Sequence, residues 1–156
     1  MSRIAPCLWF DRQALEAARF YVSIFQKSKI GRISHYGEGA PMPKGTVLTV
    51  QFWLEGQEFL ALNGGPQFKF SEAISLMRLC RTQREIDLYW KKLTRGGEES
   101  VCGWLKDKFG LSWQIAPAQI SRWIGGKDPV RSNRVFRAVM EMKKPDIAKL
   151  KAAYEG

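Results

Sequence analysis

Apolar and polar positions alternate most cleanly over residues 46–54, Thr-Val-Leu-Thr-Val-Gln-Phe-Trp-Leu. Leu48, Val50, Phe52 and Leu54 fall on one side; Val47, Thr49, Gln51 and Trp53 fall on the other. That pattern predicts a strand with one face packed on a core and one mixed face left to line something else. Glu55-Gly56 reads as a tight turn, and residues 58–62 as the returning strand. Upstream, the apolar run at residues 4–10 predicts a first strand, with Asp11 as the N-cap of a helix. Ala14, Ala18, Tyr21 and Phe25 recur at helical spacing and mark its buried stripe. Residues 29–36 read as a second strand, and the proline- and glycine-rich segment 37–45 as a loop.

The second half repeats this order. Residues 73–79 predict a strand, and Thr82-Gln83-Arg84-Glu85 has the spacing of a capping box. Ile86, Trp90 and Leu93 give the apolar stripe of the next helix, which Gly96-Gly97 closes. Short strands are expected at 98–102 and 104–106, and a last one at 111–116 after the turn Asp107-Lys108-Phe109-Gly110. Both halves therefore read β-α-β-β-β. The tail is helical: Pro117, Pro129 and Pro145 are each expected in a first helical turn, and Val135, Val139, Met142, Ile147, Leu150 and Tyr154 form stripes.

Composition adds limits. The 156 residues are 45% hydrophobic and 26% charged, which is globular and long enough for a core without disulfides. The apolar run at 4–10 is far short of a membrane span, and the N-terminus lacks a signal peptide's apolar segment. Three widely spaced cysteines, Cys7, Cys80 and Cys102, read as reduced thiols in a cytoplasmic protein. One histidine, His35, excludes any site that needs two. The net charge of +10 is scattered over helix-like regions, with no run of like charges and no readout motif, so nucleic acid is not the expected partner.

Several segments resemble the vicinal oxygen chelate superfamily, which includes glyoxalase and bleomycin-resistance proteins, and within it the PhnB-like branch. They are Pro6-Cys7-Leu8-Trp9-Phe10-Asp11, Ala17-Ala18-Arg19-Phe20-Tyr21, Leu62-Asn63-Gly64-Gly65-Pro66, Ile86-Asp87-Leu88-Tyr89-Trp90, and the stretch Gly103 to Gln114. The last is the most specific, because its aromatic pair flanks a strand-turn-strand. Many members carry the label 3-demethylubiquinone 3-methyltransferase. The resemblance implies an α+β fold in which paired β-α-β-β-β modules form a cupped mixed sheet around a small-molecule pocket, here with a C-terminal helical extension. The whole chain, 1–156, then forms a single glyoxalase-like domain: module one at 4–66, module two at 72–116, and a helical tail at 117–156. Pairing of modules in this superfamily also implies a homodimer.

Metal-dependent members hold a divalent ion with His, Glu or Gln from the first and last strands of each module. The resemblance puts those positions near Ala5, Ala61, Ala73 and Gln114, too few donors for a usual metal site. No catalytic metal and no cofactor are therefore expected. Alternation turns Cys7, Trp9, Gln51 and Trp53 toward the cup, and Asn63, Ser75, Trp104 and Gln114 join them as ligand-binding candidates. Trp9 and Gln114 are expected to face one cavity. Cys7 and Glu72 are the titratable candidates for chemistry, but neither has a partner base or acid in sequence, so no catalytic residue is assigned. Two readings follow: a small-molecule binding protein of the glyoxalase/bleomycin-resistance type, or a metal-independent enzyme of the PhnB-like branch acting on a small organic substrate. The methyltransferase label finds no support in the residues, because no glycine-rich strand-to-helix turn with a later acidic residue is present.

Overall fold

The computed structural model describes residues 3–156. It divides into two compact units, Met1–Phe70 and Ser71–Gly156. The first contains β1 (Cys7–Phe10), α1 (Ala14–Ile24), β2 (Lys29–His35), β3 (Val47–Leu54) and β4 (Gln57–Asn63). Its four-stranded sheet has the order β1-β4-β3-β2, with β1 parallel to β4 and the other pairs antiparallel. The second contains β5 (Leu76–Cys80), α2 (Gln83–Thr94), β6 (Glu98–Glu99), β7 (Trp104–Lys106) and β8 (Ser112–Pro117). Its sheet repeats the plan as β5-β8-β7-β6, with β5 parallel to β8. Three helices follow: α3 (Ile120–Ile124), α4 (Pro129–Met140) and α5 (Ile147–Glu155). The fold is α+β, two mixed sheets built as β-α-β-β-β, each with its own helix.

In the first unit, Val50, Phe52 and Leu54 of β3 are buried on the side of α1, with Leu8 and Phe10 of β1 and Ala61 of β4. Ala14, Ala17, Ala18 and Tyr21 complete this core from α1. Small residues let the helix lie close on the sheet, and Tyr21 stacks on Phe52 at 6.2 Å. The β3–β4 hairpin turns at Glu55 and Gly56, both with positive φ (47° and 90°), as a two-residue turn of the primed type requires.

The start of α1 departs from expectation. Asp11 does not cap it; the helix begins at Ala14, and the N-cap Gln13 makes no side-chain cap bond. The Ala14 amide instead donates to Asn63 Oδ1 at 2.8 Å, and Asn63 Nδ2 donates to the Val47 carbonyl at 3.1 Å. A residue from the last strand thus satisfies a helix end that no nearby side chain reaches.

In the second unit, Leu105, Trp113, Ile115 and Cys80 are buried on one face of the sheet with Ile86, Tyr89, Trp90 and Leu93 of α2. The capping box forms with one change: Thr82 Oγ1 accepts from the Glu85 amide, while Glu85 Oε2 accepts from Arg81, not from Thr82. Asp107 explains the β7–β8 turn. Its Oδ1 accepts from the Phe109 and Leu111 amides, and its Oδ2 accepts from Trp113 Nε1 at 2.9 Å. The carboxylate is only 2% exposed and holds the turn from inside.

Other boundaries shift. The strand expected at 73–79 runs from Leu76 to Cys80. Pro117 ends β8 and does not open a helix, and Pro145 precedes the N-cap Asp146. Pro129 does sit in the first turn of α4, with Asp128 as its N-cap. The tail has a small core of its own, Trp123, Val135 and Leu150, with Val139, Met142, Ile147 and Tyr154 packed around it. Backbone bonds from Cys102 N to Met142 O (2.7 Å) and from Gly103 N to Lys143 O (2.8 Å) fasten it to the β6–β7 turn. Gln83 adds a clamp: its Nε2 donates to Pro145 O and its Oε1 accepts from Ile147 N.

Candidate functional site

Each sheet has one face against its helix and one turned away. In the first unit, register puts Cys7, Trp9, Gln51 and Trp53 together on the face away from α1. Trp9 Nε1 donates to the Gly65 carbonyl at 2.9 Å, and its ring meets Phe68 edge-on at 5.0 Å. Trp53 lies over Gly31, where a Cβ would stand 2.5 Å from the ring, and Lys29 Nζ is 5.0 Å from the ring centroid. Gln51 Nε2 donates to Glu58 Oε1 at 2.6 Å, so the amide has the partner that an inward-facing glutamine needs. Glu58 itself went unread in the sequence. It is 4% exposed and shares this face, opposite Trp53 in the hairpin. The alternation of β4 carried the signal, since Glu58 falls in phase with Leu60 and Leu62. Desolvation pushes the Cys7 thiol up from its ordinary pKa, the wrong direction for a nucleophile at neutral pH.

Asn63 does not join this group. It lies in register with Phe10, on the helix side, and both ends of its amide are used on Ala14 and Val47. Ala61 is also on the helix side, fully buried against the core, so that position offers the open face nothing.

In the second unit, the face away from α2 is organised in rungs. Glu98, Lys106 and Ser112 stand in register across β6, β7 and β8; Trp104, Gln114 and Met77 form the next rung across β7, β8 and β5; Ala116 and Leu79 form a third. Gln114 Nε2 donates to Ser75 Oγ at 2.9 Å, which brings three candidates, Ser75, Trp104 and Gln114, to one place. The tail supplies the opposite wall. Ile120 and Ile124 of α3 and Phe136, Val139 and Met140 of α4 face the second and third rungs across a cavity of about 660 Å³. This volume lies in the range of small-molecule sites, which are mostly apolar with a few placed polar groups. The tail residues in this wall were legible only as apolar surface, because no pattern within α3 or α4 says which sheet face they meet.

A divalent ion does not fit the expected positions. Ala5 and Ala73 carry no donor, Ala61 faces the core, and the Gln114 amide is bonded to Ser75. Among the described residues, no three of His, Cys, Asp and Glu are grouped so as to hold a metal ion.

The two β-α-β-β-β modules, each pairing its first and last strands in parallel, define an α+β protein of paired modules. The family model described as 3-demethylubiquinone-9 3-methyltransferase matches residues 2–116, and the chain belongs to that PhnB-like family. A PhnB protein from Bacillus cereus, named for the same methyltransferase, is 38% identical, with 73% of this chain and 98% of that chain covered and a TM-score of 0.67. A Pseudomonas aeruginosa protein shares the fold at 16% identity, with 75% and 98% covered and a TM-score of 0.61. A glyoxylase/bleomycin resistance protein/dioxygenase domain from Frankia is similar at 15% identity, with 75% and 93% covered and a TM-score of 0.46. No curated protein matches the chain. Helices α3–α5 lie beyond the residues that the family model matches. Among the described residues, no helix is long and apolar enough to cross a membrane.

Proposed function

We propose that this chain is a small-molecule binding protein of the glyoxalase/bleomycin-resistance type, working without the superfamily's catalytic metal. The observation that carries this reading is the cavity of about 660 Å³ between the open face of β5, β7 and β8 and the tail helices. Its walls are apolar, Trp104 supplies an indole, and Gln114 is the polar group placed to orient a ligand. Methyl transfer, which the family's name carries, draws no support from these residues. The β1–α1 connection, Asp11-Arg12-Gln13, is not glycine-rich, and neither sheet is doubly wound. Catalysis of another kind would need a titratable group at the cavity, and its lining offers only Cys102.

A thermal-shift screen with aromatic and amphipathic compounds tests the reading. Compounds that raise the unfolding temperature should lose that effect in Trp104→Ala. Polar ones should bind several-fold more weakly to Gln114→Leu. Failure of every compound, or hits indifferent to both substitutions, overturns it. Metal analysis of protein purified without chelator tests the second half. A stoichiometric zinc, nickel or manganese ion whose removal abolishes ligand binding overturns that part. We also propose a cytoplasmic homodimer, since exposed edge strands favour association. A monomer by light scattering at about tens of micromolar, where obligate dimers persist, overturns the dimer.

A further inference from the structure

The cavity beneath the tail carries no charge. In a chain that is 26% charged, none of the described residues that line it is Asp, Glu, Lys, Arg or His. An ion entering it would lose its hydration and meet no counter-charge. Met77, Phe136 and Met140 line it and are each about half exposed, and Trp104 stands in register with Gln114. Thioethers pack well against ring edges, so walls of sulfur and indole suit a flat aromatic body. Of the polar side chains there, Ser121 is solvent-exposed and Cys102 Sγ lies 3.3 Å from Met140 Sδ. Gln114 is the one held in a fixed direction, by the bond from its Nε2 to Ser75 Oγ at 2.9 Å. Strands β5 and β8 run parallel, with Leu76 beside Trp113 and Met77 beside Gln114. Ser75 therefore stands just before the paired stretch, at the end of the face away from Leu79 and Ala116, which line the cavity. The bond draws the amide nitrogen away from the tail. It leaves Oε1, which accepts no hydrogen bond among the described residues, as the acceptor for the cavity.

We propose that this cavity takes an uncharged aromatic compound bearing a hydrogen-bond donor, such as an indole-type N–H, which donates to Gln114 Oε1, and that Ser75 is the positioning residue that selects donors over acceptors. This rests on the small-molecule reading above and names the ligand class for that site. A free amide offers a donor end and an acceptor end, so without Ser75 either sense of hydrogen bond would serve. With the nitrogen drawn toward Ser75, a ligand that can only accept is disfavoured. An anion attracted by the chain's positive charge would have to leave water for walls of carbon and sulfur.

Isothermal titration calorimetry of the full chain at neutral pH with four compounds of similar size tests the inference. Indole can only donate, 1-methylindole can do neither, quinoline can only accept, and indole-5-carboxylate is an anion. Indole should bind about five-fold more tightly than 1-methylindole or quinoline, the range of one neutral hydrogen bond. The carboxylate should bind most weakly, an order that the chain's positive charge cannot produce. Gln114→Met keeps the side chain's length and removes the amide; it should bring indole to the level of 1-methylindole and leave 1-methylindole unchanged. Ser75→Ala keeps the amide but frees it to turn, and should close most of the gap between quinoline and indole. Any of the other three binding as tightly as indole, an equal loss of indole and 1-methylindole in Gln114→Met, or an unchanged preference for indole over quinoline in Ser75→Ala overturns the inference and leaves the apolar-cavity reading standing. If none of the four binds, both fall.

Discussion

The amide of Ala14 and the side chain of Asn63, 49 positions apart, are joined by a 2.8 Å hydrogen bond that starts α1. Asn63 closes β4, so the bond ties the first helix to the last strand of its module. It does the work of a local N-cap from across the sheet.

Asn63→Ala removes both this bond and the donor to Val47 and leaves a buried amide unpaired. The expected loss is about 2–3 kcal/mol, from one helix cap and one ordinary hydrogen bond. Chemical denaturation of the single variant measures it; a loss within experimental error of zero would refute the cap. Asp11→Ala, at the position that local rules favour, should change stability by much less.

The Trp9 indole depends on a missing side chain. A Cβ on Gly64 would lie 2.3 Å from Trp9 Cζ2. Gly64→Ala should therefore cost about 1–3 kcal/mol, as overpacking does, and change the near-ultraviolet circular dichroism. In a Trp9→Leu background the same substitution should cost less. A double-mutant cycle with no coupling would show that the contact is not what constrains position 64.

Gln83 holds the segment between α4 and α5 by two hydrogen bonds from a single amide. Gln83→Ala should raise hydrogen exchange at the Ile147 amide by roughly ten-fold or more, because two bonds of about 1 kcal/mol each are lost. Exchange in β3 should stay as it was. Unchanged protection at Ile147 would mean that the backbone bonds to Met142 and Lys143 suffice.

The pair Lys106–Glu72 should show itself in the pH dependence of stability. A hydrogen bond from Lys106 is the largest influence on Glu72 and holds its carboxyl below the ordinary 4.5; the same bond holds Lys106 above its ordinary 10.5. A depressed carboxyl favours the folded state above its ordinary value and loses that effect as pH falls through the depressed one. For Lys106 the favourable range lies below its ordinary value, and the effect is lost as pH rises through the raised one. Glu72→Gln should thus be slightly less stable than the parent at neutral pH and indistinguishable in strong acid. Both groups are solvent-exposed, so added salt should shrink the difference. A difference that persists undiminished at low pH would point to packing.

Periodicity made most of the first module legible. The alternation of 46–54 gave the two faces of β3, and through them the placement of Gln51 and Trp53, because a period of two admits only two registers. Helix stripes were equally readable, since Ala14, Ala18 and Tyr21 are all fully buried. What failed were local rules overridden by distant partners. Asp11 had the right chemistry for a cap, but Asn63 reaches the helix first. Pro117 resembled a helix start, yet the pairing of Cys80 with Pro117 extends the sheet through it. The cavity under the tail depends on α3 and α4 meeting β5 and β8, and nothing short of tertiary packing specifies that encounter.

The manner in which the tail is fastened bears on how such proteins diversify. Its two closest ties to the β6–β7 turn are main-chain bonds, from Cys102 to Met142 and from Gly103 to Lys143. Two of those residues hold a left-handed backbone, Cys102 at φ 60° and Gly103 at φ +81°, and Gly103 has no room for a Cβ beside the Ile115 carbonyl, 2.4 Å away. At this turn the attachment runs through amides and carbonyls and asks little of side chains; the side-chain demand falls on Gln83 of α2, whose one amide holds Pro145 and Ile147. The tail is in that sense portable: a module that keeps this turn and a glutamine at the start of its helix carries most of the polar ties by which such a cavity wall is held, while its own core stays as it was.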